Sequence, residues 1–162
     1  GIRINVIKRS LKKFTGIQRR LTKIFTIKGR EFFDDYAHHP TEIKSVLKSL
    51  KATSTGRKVV SVFQPHRYSR LRSLKKDFAS SFSNSDLVIL CPVYPAGEKI
   101  DKKYDPINFS KLISQQSKVQ VIMAKDEKYL KNFFNKNLIH DEIVVCMGAG
   151  SISKWIREMD LK

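Results

Sequence analysis

The sequence predicts an α/β fold with an open, doubly wound, mostly parallel sheet and helices on both faces. The chain has 162 residues, a length typical of one domain. Short continuous apolar runs, as found in strands covered on both faces, alternate with helical patterns in five successive units. A short hairpin and an N-terminal helix are predicted to precede these units.

The N-terminal segment has the pattern of a basic amphipathic helix. Ile4, Ile7, Leu11 and Phe14 recur at helical spacing with Lys and Arg between them, and the helix is expected to end near Gly16. The chain does not begin with methionine, so we expect it to be a piece of a longer polypeptide. The helix then lacks its partner, and we expect it to pack on a neighbouring molecule or to be poorly ordered.

The remaining elements follow in regular order. Residues 20–27 and 30–33, separated by Lys28 and Gly29, have the pattern of a β-hairpin. The strands of the five units are predicted at residues 32–35, 58–63, 87–91, 119–123 and 143–147. Helices are predicted at residues 41–51, 69–82, 106–115, 127–137 and 151–159. Because ligands of such sheets lie beyond the carboxyl ends of the strands, we expect the site in the segments that follow them.

The composition narrows the choice of partners and compartment. Lys and Arg number 32 against 15 Asp and Glu, a formal charge of +17, which attracts nucleic acid, anionic membranes or phosphorylated small molecules. A compositional bias toward lysine is the alternative explanation. Cys91 and Cys146 each lie in an apolar run, which is typical of core thiols in a reducing compartment. No apolar run approaches the roughly 18 residues of a membrane span, and the first residues, GIRI, do not have the apolar run of a secretory signal.

Titratable groups crowd the segment after the first parallel strand, DDYAHHPTE at residues 34–42. Their density favours a ligand site. The alternative is a helix cap made by Asp35 or Thr41, with the histidines merely exposed. Zinc binding by His38 and His39 is disfavoured, because adjacent side chains diverge and no third ligand has suitable spacing. We therefore predict no metal site.

Arginines follow the second strand of these units, in QPHRYSRLR at residues 64–72. They lie where a helix begins, and the helix dipole already makes that end positive. Concentrating Arg67, Arg70 and Arg72 there costs stability unless an anion is bound, and guanidinium groups suit phosphate or carboxylate. The alternative is a solvated basic helix face.

Two further turns follow strands. PVYPAGE at residues 92–98 is a Pro and Gly turn of the kind that brings backbone close to a ligand. MGAGSIS at residues 147–153 superficially resembles a dinucleotide fingerprint, but Ser153 replaces the third glycine and the motif lies in the last unit. The chain has no GxxxxGK[ST] loop, so it cannot supply the main cradle for a polyphosphate.

Together these motifs closely resemble the C-terminal domain of the Mur ligase family. The resemblance runs essentially end to end and rests on GIQRR at 16–20, DDYAHHPTE at 34–42, QPHRYSR at 64–70, YPAGE at 94–98 and MGAG at 147–150. The second and third motifs resemble those of the members that add L-alanine. The resemblance implies that residues 1–17 are the tail helix of a preceding, ATP-binding central domain plus a linker. Residues 18–162 would be the C-terminal domain.

The resemblance also implies an activity. Such ligases use ATP to join L-alanine to UDP-N-acetylmuramate through an acyl phosphate, with Mg²⁺ on the phosphates, during cytoplasmic assembly of the peptidoglycan precursor. This chain would be the amino-acid-binding part and would act with its own missing N-terminal and central domains. Because the catalytic groups are divided among domains that close on one another, the chain alone is expected to be inactive and to hold neither ATP nor Mg²⁺.

A residue-by-residue match to the family motifs implies individual roles. His38, Arg67 and Arg70 are expected to be catalytic, with His38 as a proton acceptor for the ammonium group of alanine. Arg20 and Asp35 match the residues that contact ATP. The substrate-binding residues implied by the match are Tyr36, His38, His66, Arg67, Arg70, Tyr94, Gly97, Glu98, Gly148, Ala149 and Gly150.

A basic α/β module that binds nucleic acid is the main alternative. It is supported by the net charge and by the basic clusters at residues 19–20 and 67–72. A stacking platform would need exposed aromatic side chains among the basic ones. The phenylalanines instead fall on the apolar stripes of predicted helices, at Phe78, Phe82, Phe133 and Phe134. A ligase-derived domain kept for protein interaction is a third interpretation.

Overall fold

A computed structural model of the chain describes residues 1–13, 18–138 and 141–161. The helices in these ranges are α1 (Ile4–Lys13), α2 (Pro40–Thr53), α3 (Tyr68–Ser73), α4 (Lys75–Ala79), α5 (Pro106–Ser117), α6 (Glu127–Asn137) and α7 (Ile152–Glu158). The strands are β1 (Thr22–Ile27), β2 (Arg30–Asp35), β3 (Val59–Phe63), β4 (Leu87–Leu90), β5 (Gln120–Met123) and β6 (Ile143–Met147).

The strands form one sheet in the order β1-β2-β6-β3-β4-β5. β1 is antiparallel to β2, and all other neighbouring strands are parallel. The last strand, β6, is therefore inserted between β2 and β3. This arrangement confirms the predicted doubly wound, mostly parallel sheet. It also brings the carboxyl ends of β2, β6 and β3 together at one end of the sheet.

Apolar side chains pack on both faces of the sheet. One buried cluster includes side chains from α2, α3, α4 and α5, and the other includes side chains from α6 and α7. In β3, Val59 and Phe63 belong to the first cluster whereas Val60 and Val62 belong to the second, as the alternation of a strand requires. Every residue of β3 and β6 is buried. The predicted helices on both faces are thus confirmed.

Three predicted elements differ from the structure. The helix predicted over residues 69–82 is two short helices, because the backbone leaves the helical region at Leu74 (φ −115°, ψ 23°). β2 is both the second hairpin strand and the first strand of the parallel sheet, which we predicted as separate segments. β5 lies at the edge of the sheet, so Gln120 and Met123 are exposed. The other element ends shift by no more than two residues.

The predicted N-terminal helix is confirmed as α1. Its described side chains are all exposed, with Ile4 and Ile7 at 63% and 39%. Phe14 and the predicted helix end near Gly16 lie outside the described residues, and packing of α1 on a neighbouring molecule stays a prediction. None of the helices in the described ranges is long and apolar enough to cross a membrane.

Both cysteines are core thiols, as predicted. Cys91 and Cys146 are free and buried. Burial raises the pKa of the Cys91 thiol to about 12, so this group is protonated at neutral pH. The thiols therefore act as small apolar side chains of the core.

A buried hydroxyl on α5 holds the turn that ends α4. Ser117 Oγ accepts a hydrogen bond from the backbone N–H of Phe82 at 3.0 Å and donates one to the carbonyl oxygen of Ala79 at 2.6 Å. Ser117 is 5% exposed. Removal of the hydroxyl would leave two buried backbone groups without this partner.

We predict that Ser117→Ala lowers the free energy of unfolding by about 1–3 kcal/mol, the usual cost of buried polar groups that lose their partner. Urea denaturation monitored by circular dichroism measures the change. Ser110→Ala is the matched control on the same helix, because the Ser110 hydroxyl donates to Ile107 in an exposed position. Equal decreases in the free energy of unfolding would show that the buried hydrogen bonds of Ser117 contribute no more than the exposed one of Ser110.

Candidate functional site

The candidate site lies beyond the carboxyl ends of β2, β6 and β3. The segment after β4 joins it through a parallel bridge between His66 and Tyr94. The N–H of Arg67 donates to the Tyr94 carbonyl oxygen at 2.9 Å, and the N–H of Tyr94 donates to the Pro65 carbonyl oxygen at 2.8 Å. Backbone hydrogen bonds thus fix the loop after β3 to the loop after β4.

Four aromatic rings meet at this end of the sheet. The ring centroids of Tyr36 and His38 are 5.0 Å apart, and those of His38 and His66 are 6.0 Å apart. His66 stacks on Tyr94 with a centroid distance of 5.7 Å and an interplanar angle of 18°. The structure therefore brings together these four predicted substrate-binding residues, which come from three different loops.

His38 presents one ring nitrogen to the site. Its Nδ1 is 2.9 Å from the carbonyl oxygen of Tyr36. Because a carbonyl can only accept, Nδ1 carries a proton, and Nε2 is the acceptor whenever the ring is neutral. Glu42 Oε2 lies 3.6 Å from Nδ1.

Glu42 organises the loop that carries His38. Its Oε2 accepts hydrogen bonds from the N–H groups of His38 at 2.9 Å and His39 at 3.1 Å. Burial acts to raise the pKa of the Glu42 carboxyl. The two N–H groups and the neighbouring charges of His38 and Arg20 have the larger combined effect, so the net pKa is lowered. The alternative interpretation, a cap of α2 by Asp35 or Thr41, is wrong in its residues, because His39 and Glu42 form a capping box there.

His66 is held as a neutral acceptor. Arg70 Nη1 donates to His66 Nδ1 at 3.3 Å, so the ring proton is on Nε2. Burial lowers the pKa of His66, and the charges of Arg70, His38 and Arg67 lower it further. The ring is therefore uncharged at neutral pH and does not add to the positive charge of the two arginines.

Arg67 combines a strained backbone with an available side chain. Its φ of 70° lies in a region that costs a non-glycine residue about 1–3 kcal/mol and that recurs at functional sites. No hydrogen bond or ion pair joins its exposed guanidinium to another described residue. Arg72 does not join this group, because its Nη1 contacts Asp101 at 2.9 Å. Arg67 and Arg70 are thus the two arginines left to bind an anion here.

The glycine loop after β6 packs directly on Gln64. A Cβ added at Gly148 would lie 2.7 Å from the Gln64 carbonyl oxygen, and one at Gly150 would lie 2.5 Å from both Gln64 Oε1 and Tyr94 Cγ. The buried Gln64 amide donates to Ser151 Oγ and accepts from the N–H of Ile152, both at 3.0 Å. The glycines thus allow the backbone of this loop to approach the end of β3 closely.

Gln64 is not among the site residues that the sequence predicts. The only signal was its place at the end of β3, as the first residue of QPHRYSR. A glutamine at that position has no sequence pattern that distinguishes a buried clamp from an exposed loop residue. Its role depends on contacts with residues more than 80 positions away.

Glu98 is already engaged by the beginning of α3. It accepts hydrogen bonds from the N–H of Ser69 at 3.1 Å and from the Ser69 hydroxyl. These two bonds lower the pKa of the Glu98 carboxyl. Gly97, with φ of 87°, makes the turn before it. The loop thereby fixes the start of the helix that carries Arg70.

A second concavity adjoins the site and holds the two residues matched to ATP contacts. Arg20, Asp35 and Glu42 line a cavity of about 420 Å³, and Arg20 Nη1 lies 3.8 Å from Glu42 Oε1. Both Asp35 oxygens accept backbone hydrogen bonds, from Leu21 at 2.6 Å and from Ala37 at 2.7 Å. Burial raises the pKa of Asp35 even though these bonds and Arg20 oppose it.

The described residues contain no group of three or more His, Cys, Asp or Glu placed to hold a metal ion. The phenylalanines that a nucleic-acid platform would need are in the core: Phe78, Phe82 and Phe134 are at most 1% exposed. Phe133 packs against the same buried cluster as Phe134. These phenylalanines therefore do not form the exposed stacking platform that the nucleic-acid alternative needs.

The family model described as "Mur ligase, glutamate ligase domain" matches residues 19–150. The chain belongs to the Mur ligase family. This Mur ligase domain is 50% identical over 159 residues to a UDP-N-acetylmuramate–L-alanine ligase of Pelagibacter ubique, covering 98% of this chain and 34% of that protein. It is 39% identical to the corresponding ligase of Paramagnetospirillum magneticum, covering 96% and 32%. The chain thus spans about one third of the relatives it matches.

Solved structures of Mur ligases share the fold. The UDP-N-acetylmuramate–alanine ligase of Thermotoga maritima has a TM-score of 0.69 at 24% identity, covering 98% of this chain and 33% of that one. A murein peptide ligase of Psychrobacter arcticus has a TM-score of 0.73 at 19% identity, with 98% and 32% coverage. The resemblance seen in the motifs is therefore confirmed at the level of family and fold.

We predict that the pKa of His66 lies below its usual value of 6.5 and rises, though not fully, in Arg70→Gln, because burial persists. Titration of the ring signals by NMR measures both values. Since folded His66 binds its proton more weakly than unfolded His66 does, the free energy of unfolding should decrease as the pH falls below 6.5.

Arg72→Gln is the matched control for this titration, because Arg72 lies on the same helix but pairs with Asp101. It should leave the pKa of His66 unchanged. An equal shift in both variants would attribute the effect to net charge rather than to the Arg70 contact.

Proposed function

We propose that this domain is the amino-acid-binding part of an ATP-dependent ligase that joins L-alanine to UDP-N-acetylmuramate in peptidoglycan precursor synthesis. The observation that carries the proposal is that two histidines and two arginines lie close together beyond the carboxyl ends of β2 and β3. They are His38, His66, Arg67 and Arg70. Relatives named as UDP-N-acetylmuramate–L-alanine ligases support the choice of substrates.

The arginines suit the charge that develops during such a reaction. Transfer of a phosphoryl group to the muramoyl carboxylate, followed by attack of the amino group, concentrates negative charge first on the phosphoryl oxygens and then on a tetrahedral oxyanion. Arg67 is free to move toward that charge, and Arg70 is held in place by His66. Positioned cations of this kind stabilise the transition state more than the ground state.

His38 is the proposed proton acceptor for the ammonium group of alanine. Its Nδ1 is occupied by the Tyr36 carbonyl oxygen, so Nε2 is the nitrogen that would take the proton. The amino group must lose a proton before it can attack an acyl phosphate. Glu42, close to Nδ1, would stabilise the resulting imidazolium.

The pocket for the small amino acid is proposed to lie among the surrounding loops. Tyr36 and Tyr94 would pack beside the substrate, and Gly148, Ala149 and Gly150 would bring the backbone of the β6 loop close to it. Gly97 and Glu98 are proposed to close the pocket from the β4 loop. Since Glu98 is bound to Ser69, we assign it the role of fixing the loop rather than of contacting the amino group.

The nucleotide is proposed to contact the cavity lined by Arg20 and Asp35. Mg²⁺ would be held by the phosphates and by other domains, because the described residues supply no set of metal ligands. We further propose that residues 1–17 belong to the preceding domain and its linker, and that residues 18–162 form the C-terminal domain. The complete enzyme would act in the cytoplasm, and the chain alone would be inactive.

A chimeric ligase tests this proposal. The aligned segment of the Pelagibacter ubique ligase is replaced by this chain, and alanine-dependent phosphate release is measured with ATP and UDP-N-acetylmuramate. We predict turnover that requires all three substrates. Arg67→Gln should lower kcat/KM about 100-fold, as expected for loss of a cation at the developing charge, and His38→Gln should lower kcat and change its pH profile.

Two neighbouring substitutions serve as controls. Arg72→Gln and His39→Gln alter residues that pair with Asp101 and cap α2, and both should retain turnover within about twofold of the unsubstituted chimera. A folded chimera that cannot ligate alanine would contradict the proposed function. An unchanged kcat and pH profile in His38→Gln would refute only the role of His38.

A further inference from the structure

Arg19 connects three parts of the chain around the proposed pocket. Its Nη2 donates to the carbonyl oxygen of Gly148 at 2.6 Å, and its Cζ lies 4.7 Å from the centroid of the Tyr36 ring. Its carbonyl oxygen accepts from the N–H of Tyr36 at 2.8 Å. The residue precedes β1, yet its side chain reaches past the end of β2 to the loop after β6.

The contact with Gly148 controls a part of the backbone that has little freedom. Gly148 is buried, with φ of 151°, and its N–H donates to the Asp35 carbonyl oxygen at 3.2 Å. The Arg19 guanidinium is the partner of its carbonyl oxygen. Without that donor, the peptide after Gly148 would lose the bond that sets its orientation.

Asp34 forms an ion pair with Arg19. It is fully buried, and its Oδ2 lies 3.9 Å from Arg19 Nε. The same oxygen accepts from Ser153 Oγ at 2.6 Å and from Arg157 Nη2 at 2.8 Å on α7. Arg19 Nε and Asp34 Oδ1 have no hydrogen-bond partner among the described residues. Ser153 and Arg157 therefore make the hydrogen bonds to Asp34, whereas the hydrogen bond of Arg19 goes to Gly148.

We propose that Arg19 is a positioning residue that fixes the Tyr36 ring and the Gly148 peptide in the amino-acid pocket. The inference rests on the function proposed above. A guanidinium suits the role because its flat face lies against an aromatic ring while its edge donates a hydrogen bond. A lysine keeps the positive charge near Asp34 but cannot make both contacts. The role therefore depends on the shape of the group and not only on its charge.

The neighbouring residue, Arg20, contacts a different part of the domain from Arg19. The guanidinium of Arg19 contacts Tyr36 and Gly148. Arg20 is 53% exposed in its side chain and lies near Glu42, in the cavity proposed for the nucleotide. Loss of Arg19 should therefore affect alanine binding more than ATP binding.

Steady-state kinetics of Arg19→Lys in the chimeric ligase test the proposal. We expect the KM for L-alanine to rise about tenfold, the effect of losing one charge-assisted hydrogen bond. The KM for ATP and kcat should stay within about threefold of the unsubstituted chimera. Arg157→Lys is the matched control, because Arg157 also pairs with Asp34 but does not contact Tyr36 or Gly148. It should leave the KM for alanine unchanged.

Hydrogen exchange on this chain gives a second readout that needs no activity. In Arg19→Lys the amides of residues 148–150 should exchange faster than in Arg157→Lys, at similar thermal stability. An inactive unsubstituted chimera would refute the proposed function and leave this comparison as the test of positioning. The inference is overturned if exchange is equal in the two variants, or if the KM values for alanine and ATP rise together.

Discussion

The close approach of the β6 loop to Gln64 is the constraint on which the site depends. Gly148 and Gly150 have no room for a Cβ, because Gln64 and Tyr94 occupy the space. The Gln64 amide in turn fixes the start of α7 through Ile152. Gln64 and Tyr94 together thus set the spacing between the loops after β3, β4 and β6. Interiors packed this tightly transmit even small displacements.

The strand order explains why the charged groups converge. β6 is the last strand in the sequence but lies between β2 and β3 in the sheet. The glycine loop after β6 therefore lies between the segment that carries His38 and the segment that carries His66. The ring centroids of His38 and His66 are nevertheless only 6.0 Å apart. The fold therefore supplies the geometry, and the polar residues after each strand supply the chemistry.

Much of this could be predicted from the sequence, because apolar runs and polar clusters after strands are local signals. The parallel strands, the helices on both faces and the grouping of the loops were predicted in this way. The contact of Arg19 with Gly148 could not be, since the two residues are 129 positions apart in the chain. Nor could the role of Gln64 or the break at Leu74, which depend on tertiary contacts and have no proline or glycine signal.

Substitution of two glycines tests the central constraint most directly. Gly150→Ala places a Cβ against Gln64 and Tyr94, whereas Gly97→Ala meets only open space at φ of 87°. The account predicts that Gly150→Ala lowers the free energy of unfolding by more than about 2 kcal/mol through overpacking. Gly97→Ala should cost about 1 kcal/mol through backbone strain alone. A smaller cost for Gly150→Ala than for Gly97→Ala, measured by urea denaturation, would contradict it.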